Sequence, residues 1–355
     1  MDHGSRREKL IARLQDIGVD GFLVTRLPNV RYLTGFTGSN GQLILTRNEA
    51  VFLTDGRYEE QSRREVPDAR RVTYSAEFRR SFVEVCGEAG ITRLAFEATG
   101  LTYKTHRDLS ATGTELVPSE QEIERLRWIK DAEEIERLNE AQAVADDVFD
   151  VITGKLAEGI SERDLAFELD LALRRSGGDD MAFDTILAFG ENSAEPHHPP
   201  GTRQLERGDV VKMDFGCVVD GYHSDMTRTV SFGEPPEKLR EVYEVVQAAQ
   251  RAGVDAVRAG VKGGEADEAS RRVIREAGYG DDFKHSLGHG VGLEIHEGPT
   301  LRTGGDDVLP EGAVVTVEPG IYLDGVGGVR IEDMVEVQAE GCRVIPKTPK
   351  ELIVL

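Results

Sequence analysis

The sequence lacks the features that mark membrane, secreted or disulfide-stabilised proteins. No apolar run approaches the roughly 20 residues of a membrane-spanning helix, so no membrane segment is expected. The first residues carry charges of both signs and precede no apolar stretch of signal-peptide length, which argues against secretion. The three cysteines, Cys86, Cys217 and Cys342, are too few and too far apart to predict a disulfide framework or a thiolate zinc site. A cytoplasmic location is therefore expected.

No part of the chain has an excess of basic residues, and one part is strongly acidic. Residues 1–121 contain 17 basic and 17 acidic side chains, whereas residues 122–355 contain 26 and 48, so the whole net charge of −22 lies in the second part. An acidic domain binds phosphates poorly, which excludes nucleic acid as a partner. The length of 355 residues favours two domains, and the change in charge places them at 1–121 and 122–355.

The pattern of apolar residues predicts an α/β protein. Short β-branched runs alternate with helical periodicity in the first part, which is typical of a sheet covered by helices. A long amphipathic helix, bent near Lys130 and Asp131, is predicted over residues 120–156. Strands are predicted at 21–25, 42–46, 50–54, 93–97, 209–215, 313–318, 329–335 and 342–345, and further helices at 6–15, 81–89, 161–176, 237–259 and 264–277.

Acidic residues occur inside segments that should form core strands. Asp214, Glu318 and Glu332 each lie in or beside a run of Val and Ile. Each alone has an ordinary explanation, as a strand end, a turn or a surface position. Together they would be costly to bury, because uncompensated carboxylates destabilise a fold, and a shared cation would satisfy them. With Asp225 and His289 they form a donor set suited to Mn²⁺, Co²⁺ or Zn²⁺, and five ligands suit two ions better than one.

The order and spacing of these five residues resemble a known family. Asp225 follows Asp214 by 11 residues, His289 comes next, and Glu332 follows Glu318 by 14. This pattern is similar to the dinuclear site of the pita-bread metallopeptidases, in their proline-specific branch of aminopeptidase P and prolidase. The resemblance implies that Asp214, Asp225 and Glu332 hold one divalent ion. It implies that Asp225, His289, Glu318 and Glu332 hold the other, with Mn²⁺ expected in preference to Co²⁺ or Zn²⁺.

The resemblance extends over nearly the whole chain and implies the fold of both domains. Residues 122–355 are expected to form an α+β pita-bread catalytic domain. Residues 1–121 are expected to form a small α/β domain shared with creatinase, on the strength of RYLTGFTGS at 31–39 and LTDGRY at 53–58. A homodimer is also implied.

The resemblance assigns roles to further side chains. It implies that His197 contacts the substrate backbone at the scissile bond, that His285 lies at the pocket for proline, and that His296 donates to the developing oxyanion. Glu318 is expected to be the general base as well as a ligand. Arg330 is expected to orient a carboxylate or bind the substrate, with a core salt bridge as the alternative.

Three functions are compatible with these residues. The leading expectation is an Xaa-Pro aminopeptidase, which removes the first residue of short peptides that have proline second. The alternative is an Xaa-Pro dipeptidase, which must also hold the C-terminal carboxylate of its substrate. A non-catalytic peptide-binding protein is the alternative of another class, and the intact ligand set argues against it. The sequence assigns no role to His198, Arg31 or Arg57.

Overall fold

The chain folds into two compact units, residues 1–127 and 128–355. The structure is a computed structural model that describes residues 1–75 and 77–355, with their side chains except at positions 15 and 16. The segment after the expected boundary at residue 121 belongs to the first unit, since Glu122 and Glu124 are ion-paired to Arg13 and Arg26. Within the described ranges, no helix is long and apolar enough to cross a membrane.

The first unit is built on one mixed six-stranded sheet with the strand order β4-β3-β2-β1-β5-β6. Strand β1 pairs antiparallel with β2 and parallel with β5. Buried apolar side chains from the sheet and from helix α4, among them Leu23, Ile44 and Phe82, form the core. The elements are α1 (His3–Ile17), β1 (Gly21–Val24), α2 (Leu27–Thr34), β2 (Gln42–Thr46), β3 (Ala50–Asp55), α3 (Glu59–Glu65), β4 (Arg70–Tyr74), α4 (Phe78–Glu88), β5 (Arg93–Glu97), α5 (Tyr103–Ser110), β6 (Glu115–Ser119) and α6 (Glu124–Arg127).

The second unit contains two helix pairs, each packed on antiparallel strands. One core lies between α7, α8 and the sheet β12-β9-β8, and the other between α9, α10 and the sheet β14-β13-β15-β18-β19. The elements are α7 (Ala132–Thr153), α8 (Glu162–Arg175), β7 (Asp180–Met181), β8 (Ile186–Phe189), β9 (Val210–Phe215), β10 (Cys217–Val219), β11 (Tyr222–His223), β12 (Met226–Ser231), α9 (Glu237–Ala256), α10 (Gly263–Glu276), β13 (Gly288–Gly290), β14 (Glu297–Leu301), β15 (Val314–Val317), β16 (Gly320–Leu323), β17 (Gly327–Arg330), β18 (Asp333–Gln338) and β19 (Gly341–Val344).

Two predicted elements are wrong in their continuity. The long helix over 120–156 is two helices that meet at the bend predicted near Lys130 and Asp131, because Asp131 starts α7 as its N-cap and forms a capping box with Glu134. The strand over 329–335 is likewise interrupted. Strand β17 ends at Arg330 and β18 begins at Asp333, so Glu332 lies between two strands that belong to different sheets. The predicted α/β class is confirmed.

Candidate metal centre

The two aspartates of the predicted ligand set lie on neighbouring strands. Asp214 is in β9, between β8 and β12, and its backbone pairs with Ile186 on one side and Thr227 on the other. Asp225 directly precedes β12. Both side chains are buried. The antiparallel pairing of β9 with β12 thus brings together two carboxylates that are 11 residues apart in the sequence.

His289 is presented by a strand that runs unusually close to its neighbours. A Cβ atom at Gly288 would lie 1.9 Å from the Thr316 carbonyl oxygen, and one at Gly290 would lie 2.2 Å from the Gly298 carbonyl oxygen. Any larger residue on either side of His289 would therefore push the sheet apart. The two glycines that flank His289 therefore allow its strand to lie this close to its neighbours.

The two glutamates enter the same space from the ends of other strands. Glu318 directly follows β15, and its carboxylate accepts a hydrogen bond from the Thr316 hydroxyl at 3.2 Å. Glu332 accepts a hydrogen bond from the Thr227 hydroxyl at 2.7 Å, and its backbone amide donates to the Thr227 carbonyl oxygen at 3.1 Å. The break between β17 and β18 is therefore anchored to β12, the strand that follows Asp225.

The structure brings all five predicted ligands into one pocket. Nε2 of His289 lies 3.6 Å from Oδ2 of Asp225 and 3.4 Å from Oε1 of Glu318. Donor atoms of Asp225, His289 and Glu332 all lie within 4.8 Å of one another. Asp214 lines the same pocket from β9.

Burial and like charge shift the pKa values of these groups strongly. Burial, with the neighbouring carboxylates of Glu332 and Asp214, raises the pKa of Asp225 well above its usual range. Burial, with Glu318 and Asp214, does the same to the pKa of Glu332. Burial raises the pKa of Glu318 to about 8 and lowers that of His289 to about 4. Each shift means that the charged form of the group is disfavoured in the folded protein. A bound cation would instead stabilise the charged form of the carboxylates.

The donor atoms fit a divalent metal in two further respects. Oδ1 of Asp214 is buried and has no hydrogen-bond partner among the described residues. Nδ1 of His289 lies 3.0 Å from the Gly290 carbonyl oxygen, which places the ring proton on Nδ1 and leaves the Nε2 lone pair facing the carboxylates. Hard carboxylate oxygens with one imidazole suit a divalent ion such as Mn²⁺ or Zn²⁺.

Arg330 is buried next to the carboxylates, and its guanidinium makes several hydrogen bonds. It donates to Oδ2 of Asp214, to the Thr227 hydroxyl at 2.9 Å and to the Tyr322 hydroxyl at 2.8 Å. His285 lies on the far side of Tyr322, with Nε2 at 2.8 Å from the same hydroxyl. The buried ion pair of Arg330 with Asp214 fits both the expected role in orienting a carboxylate and the alternative of a core salt bridge. A direct contact of Arg330 or His285 with substrate stays a prediction.

The pocket has a volume of about 590 Å³, in the size range of small-molecule sites. His197 and His296 line it and are exposed, and the His296 ring centroid lies 4.5 Å from that of His289. Apolar side chains, including Phe183, Ile186 and Ile295, line it as well. The five ligands, the four other predicted site residues and an apolar surface thus share one cavity.

Four contributors to this region were missed by the sequence analysis. Tyr322 links Arg330 to His285, and Arg302 lines the pocket with an exposed guanidinium. Glu162 and Lys212 support the loop that carries His197. Only Lys212, a lysine inside an apolar strand, carried a signal in the sequence, because a buried lysine requires nearby acceptors.

Arg57, to which the sequence assigned no role, forms an ion pair in the first unit. Its guanidinium donates to both carboxylate oxygens of Asp55, at 3.0 and 2.8 Å. The Asp55 side chain also accepts from the amide of Asn40 and from the backbone of Arg57. These contacts fix the turn that follows β3.

Comparisons with known proteins agree with this site. The model of metallopeptidase family M24 matches residues 136–339, and that of the creatinase/prolidase N-terminal domain matches residues 6–129. The chain belongs to metallopeptidase family M24. The resemblance and the enzyme class expected from the sequence, a metallo-exopeptidase, are thereby confirmed, and the family's use of a divalent metal agrees with the donor set.

Relatives of known structure span both units. A solved structure named Xaa-Pro dipeptidase, from Bacillus anthracis, is 42% identical, covers 99% of this chain and all of its own, and superposes with a TM-score of 0.97. The Xaa-Pro dipeptidase of Pyrococcus furiosus is 36% identical over 98% of this chain and 99% of its own. An X-Pro aminopeptidase from Thermotoga maritima is 35% identical over 97% of this chain and 100% of its own, with a TM-score of 0.90. The M24 fold of this chain is thus shared with Xaa-Pro peptidases along its full length.

Proposed function

We propose that this M24 peptidase is an Xaa-Pro dipeptidase that uses two divalent cations, Mn²⁺ in preference to Co²⁺ or Zn²⁺. The names of its relatives support the dipeptidase alternative better than the aminopeptidase that the sequence analysis favoured. The observation that carries the proposal is an exposed arginine in the same pocket as the ligand cluster. A dipeptide has a free carboxylate next to its proline, whereas a longer peptide does not.

Arg302 is suited to that carboxylate. Of the two arginines that line the pocket, Arg330 is buried and engaged with Asp214 and Tyr322. Arg302 is exposed, and its guanidinium makes no hydrogen bond or ion pair within residues 1–75 and 77–355. Guanidinium groups bind carboxylates with two parallel hydrogen bonds, so this side chain supplies the contact that a dipeptidase requires.

The proposed roles follow the expectations from the sequence. Asp214, Asp225 and Glu332 would hold one cation, and Asp225, His289, Glu318 and Glu332 the other. When bound, the cations would act as Lewis acids toward the scissile carbonyl and activate water at neutral pH.

The remaining steps belong to side chains of the chain itself. A Glu318 oxygen accepts the proton of the attacking water and delivers it to the proline nitrogen as the scissile C–N bond breaks. His296 donates to the carbonyl oxygen as negative charge develops there, and His197 orients the substrate backbone. The apolar wall around Phe183 and Ile295 receives the proline ring.

A substrate panel tests the proposal. Full-length protein reconstituted with Mn²⁺ is assayed on Xaa-Pro, Xaa-Pro-Yaa and Xaa-Ala peptides, with Asp225→Ala as the control for contaminating peptidases. We expect Xaa-Pro dipeptides to give the highest kcat/KM. If the protein cleaves Xaa-Pro-Yaa peptides and cleaves Xaa-Pro dipeptides little or not at all, the aminopeptidase assignment would be correct instead. Metal analysis, light scattering and cell fractionation would test the expected metal pair, homodimer and cytoplasmic location.

A further inference from the structure

His197 depends on its loop for its position. Its ring is exposed in the pocket and makes no hydrogen bond within the described residues. A side chain without such bonds lies where its backbone places it, and a displacement of about 1 Å at a reacting centre can reduce the rate about 100-fold. The contacts of the loop over residues 190–201 therefore bear on catalysis.

Hydrogen bonds to backbone carbonyl groups hold the part of this loop that precedes His197. Nζ of Lys212, fully buried in β9, donates to the carbonyl oxygens of Ser193 at 3.0 Å and of Glu195. Arg330 donates to the carbonyl oxygen of Pro196 at 3.2 Å. Two buried basic side chains, of which Arg330 also contacts Asp214, thus fix the backbone up to the residue before His197.

The part after His197 is held by one buried carboxylate. Glu162, the first residue of α8, has no exposed surface. One of its oxygens lies 3.0 Å from Nε2 of His198 and accepts from the Gly201 amide at 2.9 Å. Its other oxygen accepts from the Phe189 amide and the Asn192 side chain, both at 2.9 Å.

His198 is the residue through which this carboxylate acts beside His197. Its Nδ1 lies 2.9 Å from the Glu195 carboxylate while its Nε2 faces Glu162, so the ring connects the two sides of the loop. Because carboxylates only accept hydrogen bonds, a protonated ring nitrogen of His198 donates to them, and an apolar or shorter side chain would leave Glu162 short of a partner.

We propose that Glu162 and His198 are positioning residues that hold His197 in its catalytic place. The proposal relies on the substrate contact proposed for His197, and it assigns the otherwise unexplained His198 to the same reaction. Glu162 is fully buried, and His198, although it lines the pocket, has each ring nitrogen within hydrogen-bond distance of a carboxylate, so both residues act through the backbone of residue 197. An anchor with a purely structural role would stabilise the protein without depending on the His197 side chain.

A double-mutant cycle separates these two roles. We expect His198→Ala to lower kcat about 10- to 100-fold on an Xaa-Pro dipeptide, with a smaller change in KM and unchanged metal content. In the His197→Ala background the same change should have little further effect, because the side chain that it positions is gone. Equal losses in both backgrounds, or normal kcat in the single variant, would overturn the proposal.

Three further variants guard against misfolding. His198→Gln retains one amide donor toward Glu162 and should recover part of kcat, whereas Glu162→Gln loses an acceptor and should resemble His198→Ala. Glu191→Gln changes an exposed acid in the same segment and should match the wild type in kcat and in melting temperature. Identical losses in Glu191→Gln and His198→Ala would mean that any change in the segment suffices, against a specific anchor.

Hydrogen exchange tests the anchor without any substrate. In the Mn²⁺-loaded protein, amides of residues 193–201 should exchange faster in His198→Ala than in the wild type, and at the wild-type rate in Glu191→Gln. Unchanged exchange in His198→Ala would refute the anchor whatever the activity. If exchange is faster in His198→Ala but the wild-type protein cleaves no Xaa-Pro peptide, the proposed function is refuted while the anchoring role of Glu162 and His198 is still supported.

Discussion

Nε2 of His289 lies 3.4 Å from Oε1 of Glu318, at the centre of a group of carboxylates. This separation exceeds that of an ordinary N–H···O hydrogen bond, and the ring proton is directed to the Gly290 carbonyl oxygen on the other side. The imidazole and the carboxylate thus face each other as two lone-pair donors. Such an arrangement is typical of ligands around an ion and is unfavourable without one.

Metal binding should therefore become more stabilising as the pH rises. Burial raises the pKa of Glu318 from 4.5 to about 8, and the pKa values of Asp225 and Glu332 are raised as well. At these carboxyl groups the folded metal-free protein binds more protons than the unfolded chain between these pH values, so their contribution to stability falls as the pH rises. A cation favours the ionised carboxylates and removes this loss.

Thermal unfolding of EDTA-treated protein, with and without Mn²⁺, checks this expectation. The increase in melting temperature on adding Mn²⁺ should be larger at pH 8 than at pH 6. The variant Glu332→Ala should show a much smaller increase at both pH values. An Mn²⁺ effect that is equal at both pH values would contradict the assigned sign.

Glu332→Ala should abolish turnover and reduce the metal content. This carboxylate is expected to bridge both cations, and it is held by the Thr227 hydroxyl in a fully buried position. The loss should exceed the roughly 10- to 100-fold typical of removing an outer-sphere partner. Glu340→Ala, which removes an exposed acid, is the matched control. Near-native kcat with two metal ions per chain by elemental analysis would show that the ligand assignment is wrong.

The predicted ligands stand out in the sequence because their chemistry conflicts with their surroundings. Asp214 lies inside an apolar strand, and His289 lies between two glycines that allow close strand packing. Such conflicts between local pattern and residue type indicate functional positions. The spacing of the acids then matched a family, and the structure brings the predicted residues into one pocket.

The supporting residues could not be found in the same way. Glu162 begins a helix whose periodicity is ordinary, and its role depends on a loop about 36 residues further along the chain. Tyr322 contacts Arg330 across the paired strands β16 and β17, and it contacts His285 through tertiary packing. The continuity of the strand over 329–335 was misjudged because β-branched residues persist through a break that is fixed by hydrogen bonds to Thr227. Apolar periodicity does not record such long-range contacts.

His296→Ala should reduce catalysis without removing metal. The ring is exposed in the pocket next to His289, and a donor aimed at developing negative charge typically contributes about 10²–10³ in kcat. His296→Gln keeps an N–H donor and should lose less. Both variants should retain the wild-type metal content by elemental analysis. Normal kcat, or the loss of a metal ion, would show that His296 has another role.

Removing the charge of Arg302 should selectively weaken binding of dipeptides. If this guanidinium binds the free carboxylate, Arg302→Gln should raise KM for Xaa-Pro by about 10- to 150-fold, the equivalent of a charge-assisted hydrogen bond of about 1.5–3 kcal/mol. Arg302→Lys keeps a positive charge without the planar guanidinium, so its KM for Xaa-Pro should lie between that of the wild type and that of Arg302→Gln.

The Xaa-Pro amide, in which the carboxylate is replaced by a neutral carboxamide, is the decisive comparison. Wild-type protein should bind it far more weakly than the acid, because the amide offers Arg302 no negative charge. Arg302→Gln should then treat acid and amide nearly alike, since the only group that distinguishes them has lost its partner. The measurement is the steady-state KM of wild type and Arg302→Gln for both the acid and the amide, which together form a double-mutant cycle. An unchanged preference for the acid in Arg302→Gln would place the carboxylate elsewhere in the pocket and remove the observation on which the choice of dipeptidase over aminopeptidase rests.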